Sequence, residues 1–408
     1  MRTVAGLRRR GTAGVAVLVM LTAAACGTGG GPSGSRATAP SGTASPSGTG
    51  TTSLTWEFEH IADFSGDLTD IAVLAADDVW AVADEHDSSA GARLLHYDGA
   101  RWTREPLPEA LGATDYPPLL DQVGADALWL RPHTSGGGPD GGHWAKWDGA
   151  RWSAVAHPGP TGVRDIKSAG PDDVWALGDE RTAQHWDGTR WTATRLPFPA
   201  ADLAVVGLDD VWAVGRRTTG PGTVLNGTET YSQPASAHWD GTSWKAVDTP
   251  QAHFPEPVPA EPGAGLNRVL ALDGGEVRAY GINGFNHGEA EDEPQDQYLR
   301  LRWDGSKWAE QEAAPGQCAE RIPVGQEHGG LFLEGNWYLT DGGRCVKIGR
   351  HRLPASTDAR KGSNQSLWLT GIHRVPGTDE WLGAGHVQVN QPGDPFDAPV
   401  VVRLKRGS

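Results

Sequence analysis

Several classes of protein are excluded by what this 408-residue sequence lacks. Beyond the first 25 residues, no stretch of 12 or more residues has the apolar period of an amphipathic helix, so a helical fold is excluded. Basic residues are few, because 35 Lys and Arg against 51 Asp and Glu give a net charge of −16. Since acidic surfaces repel phosphate backbones, we expect no nucleic-acid partner. The histidines lack both the His-x-His and the His-Glu-x-x-His spacing of zinc sites, and we expect no metal and no cofactor.

Glycine and tryptophan are abundant. The chain holds 56 Gly and 18 Trp, with only 7 Phe and 6 Tyr. Glycine supplies the backbone conformations of tight turns, and each indole contributes a large apolar surface. This pairing favours a turn-rich, all-β fold anchored by tryptophan.

The first 26 residues have the pattern of an export signal. Arg2 and the arginines at 8–10 precede an apolar run at 11–25, which is too short to span a bilayer. The run ends in Leu-Thr-Ala-Ala-Ala-Cys at 21–26, which resembles the lipobox of bacterial lipoproteins, although Ala23 stands where that family usually has Leu. The resemblance implies a signal peptide at 1–25 and a lipidated Cys26 on the extracytoplasmic side of the cell membrane. Plain secretion after an Ala-x-Ala site is the alternative.

A low-complexity segment follows the cysteine. Residues 26–53 are almost wholly Gly, Ser, Thr, Ala and Pro after Cys26. Such a composition buries too little apolar surface to offset its ordering entropy. We therefore expect a disordered tether of roughly 25–30 Å root-mean-square span between the membrane and a body at 54–408.

The body is built from an internal repeat. Its clearest copy, unit three, has Asp-Asp-Val-Trp at 172–175, His-Trp-Asp-Gly at 185–188 and then Trp191. Units one, two and four follow the same pattern, whereas units five to seven are degenerate around Tyr280, Trp337 and Trp381. Each unit contains four short apolar runs separated by turn signals, which is typical of a four-stranded propeller blade. The sequence predicts a single β-propeller of seven four-stranded blades, with six as the alternative.

The last unit lacks a fourth strand. The segment at 54–57, Leu-Thr-Trp-Glu, is similar to the fourth strands of other units, such as 101–103. We expect this N-terminal strand to complete the last blade and close the ring. Residues 54–408 thus resemble the Trp-Asp-Gly propellers related to Kelch-like and Asp-box repeat proteins, although the Asp-box spacing itself is not matched. Because that superfamily includes lectins, glycosidases, oxidases and scaffolds, the resemblance implies no particular activity.

The repeated residues have structural interpretations. The tryptophans could stack on sugars, but burial of each indole between blades is worth roughly 5 kcal/mol and accounts for them. The Asp-Asp and Asp-Gly pairs could bind calcium, but turns on separate blades do not converge, so we interpret them as turn residues. Cys318 and Cys345 are predicted to form a disulfide in unit six, where the Trp-Asp-Gly element is missing.

Function is expected on one face. Loops between second and third strands vary greatly in length, notably at 216–236 in unit four and 283–297 in unit five, and long insertions on one face mark a binding surface. We call this the loop-rich face. The candidate ligand-binding residues are Arg216, Arg217, Asn226, Tyr231, Phe285, Asn286 and His287.

No catalytic constellation is evident in the sequence. We therefore expect a non-enzymatic, membrane-tethered recognition or scaffold protein that holds a glycan or an extracellular protein on the loop-rich face. The alternative is a propeller hydrolase or lyase acting on a polysaccharide, which would need paired carboxylates converging at the central channel.

Overall fold

Turn chemistry at the repeated Trp-Asp-Gly sequences sets the strand boundaries. Asp187 Oδ1 accepts the backbone N–H groups of Thr189 and Arg190, both at 2.9 Å, and Gly188 has a φ of +87° that favours glycine. The same arrangement recurs at Asp98, Asp148, Asp240 and Asp304. Each of these turns joins the third strand of a unit to its fourth.

The computed structural model describes residues 53–86, 91–133, 143–159, 163–178, 181–221, 230–288, 293–327 and 329–407. Thr51–Ser408 forms one compact unit of the chain, and the other unit, Met1–Gly50, lies outside the described residues, as do the predicted signal peptide, Cys26 and nearly all of the tether. Within the described part, no helix is long and apolar enough to cross a membrane.

The strands of the first half follow the predicted repeats. They are β1 (Leu54–Ile61), β2 (Gly66–Ala75), β3 (Asp78–Glu85), β4 (Ala92–Tyr97), β5 (Trp102–Glu105), β6 (Tyr116–Gln122), β7 (Leu128–His133), β8 (Trp144–Trp147), β9 (Trp152–Val155), β10 (Asp165–Gly170), β11 (Asp173–Leu177), β12 (Thr182–Trp186) and β13 (Trp191–Arg195). Units one, two and three form separate four-stranded sheets, β2–β5, β6–β9 and β10–β13.

The second half contains longer strands and three short 3-10 helices. The strands are β14 (Ala200–Gly207), β15 (Asp210–Pro221), β16 (Thr230–Trp239), β17 (Trp244–Val247), β18 (Gly263–Ala271), β19 (Val277–Gly284), β20 (Gln297–Trp303), β21 (Trp308–Glu310), β22 (Pro323–Glu327), β23 (Gly330–Leu333), β24 (Trp337–Leu339), β25 (Cys345–Lys347), β26 (Gly349–Arg350), β27 (Asn364–Arg374), β28 (Trp381–Asn390) and β29 (Phe396–Arg406). The 3-10 helices are Asp273–Gly275, Gly316–Cys318 and Ala355–Thr357.

The architecture is an all-β propeller, but the prediction of seven separate blades is wrong. Five sheets stand alone as blades: units one, two, three and six, and a five-stranded sheet in the order β26-β1-β29-β28-β27. Units four and five instead share one eight-stranded sheet, β14 to β21. The reason is a parallel bridge between Ser232 of β16 and Gly263 of β18, which joins two four-stranded antiparallel sets.

The predicted ring closure is confirmed. β1 pairs antiparallel with β29, in register from Leu54 opposite Arg406 to Ile61 opposite Val400. The start of the propeller thus supplies the outer strand of its last blade. Since the two strands come from opposite ends of the body, ring closure depends on contacts of very long sequence separation.

The apolar core lies between neighbouring units, as predicted for the tryptophans. Trp212 of unit four contacts Trp303 and Trp308 of unit five, with ring centroids 4.7 and 5.2 Å apart. Equivalent contacts link Trp80 with Trp147 and Trp152, Trp129 with Trp186 and Trp191, and Trp175 with Trp239 and Trp244. Phe332 takes the place of the second-strand tryptophan in unit six and packs on Trp56 and Trp381.

The recurring His and Asp of the repeat form a partly exposed hydrogen-bonded pair beside each of three tryptophans. In unit four, His238 Nε2 lies 2.8 Å from Asp210 Oδ1, and the His238 ring packs on Trp212 at 4.6 Å. The same set is formed by His96, Asp78 and Trp80 and by His185, Asp173 and Trp175. This set explains why His-Trp-Asp-Gly and Asp-Asp-Val-Trp recur together.

The predicted disulfide is confirmed. Cys318 and Cys345 are bonded, with a Cα–Cα distance of 5.8 Å. Cys318 is 1% exposed and packs among Leu272, Leu331 and Leu333. The cross-link therefore joins the segment entering unit six to its outer strand, where no Trp-Asp-Gly turn holds the strands together.

Candidate functional site

The predicted loop of unit four is largely a β-hairpin. Arg216 and Arg217 lie in β15, opposite Pro234 and Gln233 of β16, rather than in a loop, and both are exposed. Tyr231 lies in β16 opposite Gly220. Asn226 and the side chain of Tyr231 lie outside the described residues. The prediction of a loop over the whole of 216–236 is therefore wrong, because strand pairing continues to Pro221 opposite Thr230.

The hairpin is fixed at its base by side-chain bonds to a neighbouring loop. Gln233 is 3% exposed, its Nε2 donates to Ala252 O at 2.9 Å, and its Oε1 accepts from Ala252 N at 2.9 Å. An amide that uses both ends in this way locks the strand to the segment 248–262. The hairpin therefore presents its exposed arginines on a rigid support.

The unit five residues form a second group on the same face. Phe285 packs edge-on against the buried Phe254 at 5.4 Å, and the His287 ring lies 3.9 Å from Phe285. The pKa of His287 is raised, first by its hydrogen bond with Asp296 and then by that with Glu293. Asn286 is exposed and donates its backbone N–H to Ala260 O at 3.0 Å.

A cleft of about 330 Å³ separates units three, four and five on this face. Arg216 lines it together with Asn267 and Ile282 of unit five. Arg164 borders it and is held by bonds to Gly178 O and Ala200 O, at 3.2 and 2.8 Å. The structure thus brings Arg216 into a cleft, whereas Phe285, Asn286 and His287 form a separate group.

A larger cavity, which the sequence does not predict, lies in the central channel. Its volume is about 780 Å³, and it is lined by the innermost strands β2, β10, β14, β18, β22 and β27. Its charged lining is formed by Asp70, Asp165, Lys167, Asp202, Arg268, Arg321 and Glu334. Because Glu334 lies between the second and third strands of unit six, this cavity reaches the loop-rich face.

β-bulges accompany the channel residues in several innermost strands. The register of β2 shifts between Leu68 and Asp70, and that of β14 shifts between Ala200 and Asp202. A bulge re-aims the side chain that follows it, and such irregularities are frequent beside active sites. The same shift precedes Arg268 in β18.

A sequence signal for these aspartates does exist. In units one, three and four an Asp stands eight residues before the second Asp of the Asp-Asp pair, at Asp70, Asp165 and Asp202. An acidic residue in an otherwise apolar inner strand is unexpected, because buried carboxylates are costly. Its recurrence in three repeats indicates a shared position facing the channel.

Asp165 and Asp202 form a carboxyl pair. Their side chains share a hydrogen bond, which requires a proton on one of them, and Lys167 Nζ lies 2.8 Å from Asp165 Oδ1 and 4.0 Å from Asp202 Oδ1. Burial raises the pKa of Asp202 to about 7. Burial opposes ionisation of Asp165 as well, but Lys167 and the hydrogen bond from Asp202 hold the pKa of Asp165 below its usual value. The pair therefore carries one proton near neutral pH.

Asp70 is a second carboxyl group with a raised pKa. Burial, and then the charge of Asp121, raise the pKa of Asp70 to about 7. Asp70 accepts N–H bonds from Ile71 at 2.9 Å and from Leu120 of the next unit at 3.1 Å. Asp121 is itself paired with the buried Arg131, whose Nε lies 2.6 Å from Asp121 Oδ2.

Three further channel residues define its surface chemistry. Arg268 has no carboxylate within ion-pair distance among the described side chains. Trp368 lines the cavity and is 53% exposed. His373 lies in the channel wall, where burial lowers its pKa to about 4 and keeps its imidazole neutral.

The carboxyl pair does not have the geometry of a glycosidase. Retaining enzymes hold their two carboxyl groups about 5–5.5 Å apart and inverting enzymes roughly 6.5–9.5 Å apart, whereas Asp165 and Asp202 are in direct contact. Within the described ranges, no three His, Cys, Asp or Glu side chains converge as metal ligands. The arrangement suits hydrogen bonding to a polar ligand and proton-dependent charge.

Comparisons with known proteins identify no family for this chain. No family model and no curated protein sequence matches the chain. Among solved structures, YCF48 bound to a D1 peptide aligns with 85% of this chain and 94% of its own, at 12% identity and a TM-score of 0.45. The WD40 β-propeller domain of Doa1 aligns with 86% of this chain and 97% of its own, at 12% identity and a TM-score of 0.41. YCF48 from Cyanidioschyzon merolae aligns with 86% of this chain and 98% of its own, at 11% identity and a TM-score of 0.40. Values this low transfer neither a ligand nor an activity to this chain.

Proposed function

We propose that this protein is a non-enzymatic recognition or scaffold protein that holds a glycan or protein ligand on the loop-rich face of its propeller. The observation that carries the proposal is the hairpin of unit four. Its pairing runs from Val211 opposite Trp239 to Pro221 opposite Thr230, whereas the equivalent pairing in unit three ends at Leu177 opposite Ala183.

This hairpin extends one face of the molecule while the opposite face keeps short turns. The turns between first and second strands in units one, three and four are two residues long, at 76–77, 171–172 and 208–209. A rigid extension that exposes Arg216 and Arg217 beside a cleft adds nothing to the core. Structure added where stability does not need it supports a role in binding.

The hairpin projects from the part of the ring in which units four and five share one eight-stranded sheet. The two units are fused there at the bridge between Ser232 and Gly263. The cleft lined by Arg216 lies beside this fused region.

We also propose that the protein works outside the cytoplasm, on a lipid tether at Cys26 with a signal peptide at 1–25 and a linker at 26–53. The lipobox-like sequence at 21–26 supports this. Metabolic labelling with an alkyne fatty acid should label the wild-type protein and leave Cys26→Ser unlabelled and released from the membrane fraction. Equal labelling of both proteins would disprove the tether.

Thermal shift measurements test the recognition face. The purified mature protein is screened against oligosaccharides, cell-wall fragments and secreted peptides, since a ligand at a hundredfold its Kd adds about 2.7 kcal/mol. The double variant Arg216→Ala/Arg217→Ala should lose the shift. Its matched control is Arg151→Ala/Arg190→Ala, two arginines 82% and 80% exposed on the opposite face, which should keep it. A shift lost only in the control would place the ligand on the wrong face and refute the proposal.

A further inference from the structure

The central channel combines three features that point to one class of ligand. They are an arginine without an ion-pair partner, an exposed tryptophan and two carboxyl groups, Asp70 and Asp202, in one cavity of about 780 Å³. A cavity of this size falls within the range of small-molecule sites. The inference drawn from them rests on the proposed function, because the channel reaches the same loop-rich face and the inference names a ligand class.

Arg268 supplies the charge that a ligand would meet. Lys167 is neutralised by Asp165, and Arg131 is neutralised by Asp121, but no described carboxylate pairs with Arg268. Arg268 is half-buried in the channel wall, and its neighbour Val269 donates its N–H to Asp202 at 2.8 Å. A partly desolvated guanidinium without a partner is costly and favours a planar carboxylate, which it binds through two hydrogen bonds.

Trp368 is unlike every other tryptophan of the chain. All 18 tryptophans lie in the part of the chain that the structure describes, and Trp368 alone is exposed. The second-strand tryptophans Trp129 and Trp175 are 2% and 0% exposed, because they pack between units. Trp368 instead lies on the innermost strand of the last blade and borders the cavity. An exposed indole on a cavity wall is a platform on which a sugar ring can stack.

Asp70 supplies a hydrogen-bonding group that acts both as a donor and as an acceptor, whereas Asp202 is 3% exposed and shares its proton with Asp165. A protonated carboxyl group donates through its O–H and accepts through its other oxygen, which matches a sugar hydroxyl. Near pH 7 both groups exchange protons, so the cavity is more positive in acid and more negative in alkali. The other charged groups nearby are Asp121, Arg131, Asp165, Lys167, Arg321 and Glu334, and His373 is neutral above pH 4 or so.

We propose that the central channel binds a saccharide that carries a carboxylate, a uronic-acid type of residue. In this arrangement Arg268 pairs with the carboxylate, Trp368 stacks on the sugar ring, and Asp70 exchanges hydrogen bonds with its hydroxyls. A neutral saccharide has no carboxylate to pair with Arg268, and a cationic ligand is repelled by the positive charges of Lys167 and Arg268. Both therefore bind more weakly than the acidic saccharide.

Isothermal titration calorimetry of the mature protein tests this with trigalacturonate and, as the matched neutral probe, galactotriose. Trigalacturonate should bind at least tenfold more tightly than galactotriose at pH 6, and more weakly at pH 8.5, where Asp70 and Asp202 are ionised. Arg268→Gln should weaken trigalacturonate roughly 10- to 100-fold, as expected for a charge-assisted bond, and Arg268→Lys should weaken it less. Trp368→Ala should weaken both sugars, and Trp368→Phe should restore part of the loss.

Arg195→Gln is the control, because Arg195 is exposed on the outermost strand of unit three, and it should bind like wild type. The channel inference is overturned by equal affinity for the two sugars, by no binding at millimolar concentration, or by trigalacturonate binding that neither Arg268→Gln nor Trp368→Ala alters. A different ligand could still lose its thermal shift in the Arg216→Ala/Arg217→Ala variant. In that case the channel inference fails, whereas the proposed recognition face is supported.

Discussion

Asp165 and Asp202 share a hydrogen bond across two neighbouring innermost strands, β10 and β14, with Lys167 beside them. The two aspartates are 37 positions apart in the chain and occupy equivalent places in units three and four. Together with burial, their contact makes this pair a group that exchanges one proton near neutral pH. The stability and the binding of this protein should both depend on that proton.

The first prediction concerns Asp202 and pH. The pKa of Asp202 is raised to about 7, so between pH 4 and pH 7 or so the folded protein holds a proton that the unfolded chain has lost, and stability falls as pH rises. In the wild type, ionisation of Asp202 should lower the free energy of unfolding by about 2 kcal/mol between pH 5 and pH 8. Asp202→Asn should abolish this part of the decrease. Urea denaturation at both pH values measures it.

Asp248→Asn is the matched control, since Asp248 is exposed on the edge of unit four, and it should leave the pH dependence unchanged. Asp70 has a similarly raised pKa and should retain its own share of the decrease in the Asp202→Asn protein. An Asp202→Asn protein with the full wild-type pH dependence would show that Asp202 is ionised throughout.

The second prediction concerns the seam between the first and last blades. Asp67 of β2 lies 2.6 Å from His386 Nδ1 of the last blade and 3.1 Å from His86 Nε2. Burial lowers the pKa of His386, but Asp67 more than offsets it, so the pKa lies above its usual value. This stabilisation is fully present below about pH 6.5 and is lost as pH rises through the folded pKa. His386→Gln should lower stability by about 1 kcal/mol at pH 6 and by less at pH 8.5.

Thermal unfolding at the two pH values measures the effect. His351→Gln is the control, because His351 is 66% exposed and lies 3.9 Å from Glu57. A loss that is larger at pH 8.5 than at pH 6 would mean that His386 acts through packing rather than through its charge.

The third prediction concerns the disulfide of unit six. Cys318 and Cys345 are 27 positions apart, and closing a loop of this length stabilises the fold by about 3–4 kcal/mol in the chain-entropy model. The double variant Cys318→Ser/Cys345→Ser should lose that amount in guanidinium unfolding. Reduction with dithiothreitol should destabilise wild type by a similar amount and leave the double variant unchanged. Destabilisation of the double variant by dithiothreitol would show that the reductant acts on the protein other than through this disulfide.

The fourth prediction concerns the His–Asp pair beside the second-strand tryptophans. His238 bonds to Asp210, and Trp212 Nε1 donates to the same Asp210 oxygen at 3.0 Å. His238→Ala should lower the unfolding free energy by about 1–2 kcal/mol, because a charged acceptor loses a partner. In unit two the equivalent position, opposite Trp129, is Lys146, so Lys146→Ala should cost less. Equal losses of unfolding free energy at the two positions would mean that the His238–Asp210 hydrogen bond contributes no more than side-chain packing.

Much of the fold was predictable because each unit repeats its local chemistry. The Trp-Asp-Gly turns, the second-strand tryptophans and the returning strand β1 all follow from patterns within a unit or between equivalent positions. Strand count within a unit needs only such local signals. The fusion of units four and five was not predictable, because it depends on one bridge between Ser232 and Gly263 across two units.

The candidate site was harder to predict for the same reason. The segment containing Arg216 and Arg217 looked like a loop because it interrupts the repeat, yet its strand pairing continues and Gln233 anchors it to Ala252. The channel joins side chains from six innermost strands, and no spacing within one unit brings them together. Only the repeated aspartate eight residues before each Asp-Asp pair indicated them.

The most direct test of the recognition face is amide hydrogen exchange of the mature protein, with and without a soluble digest of cell-wall saccharides and peptides. Ligand binding on this face should slow exchange at 214–218 and 232–236 of the hairpin and at 285–288, with no change in the opposite turns at 187–190 and 240–243. Protection confined to those opposite turns, or the same exchange with and without the digest at every site, would contradict it.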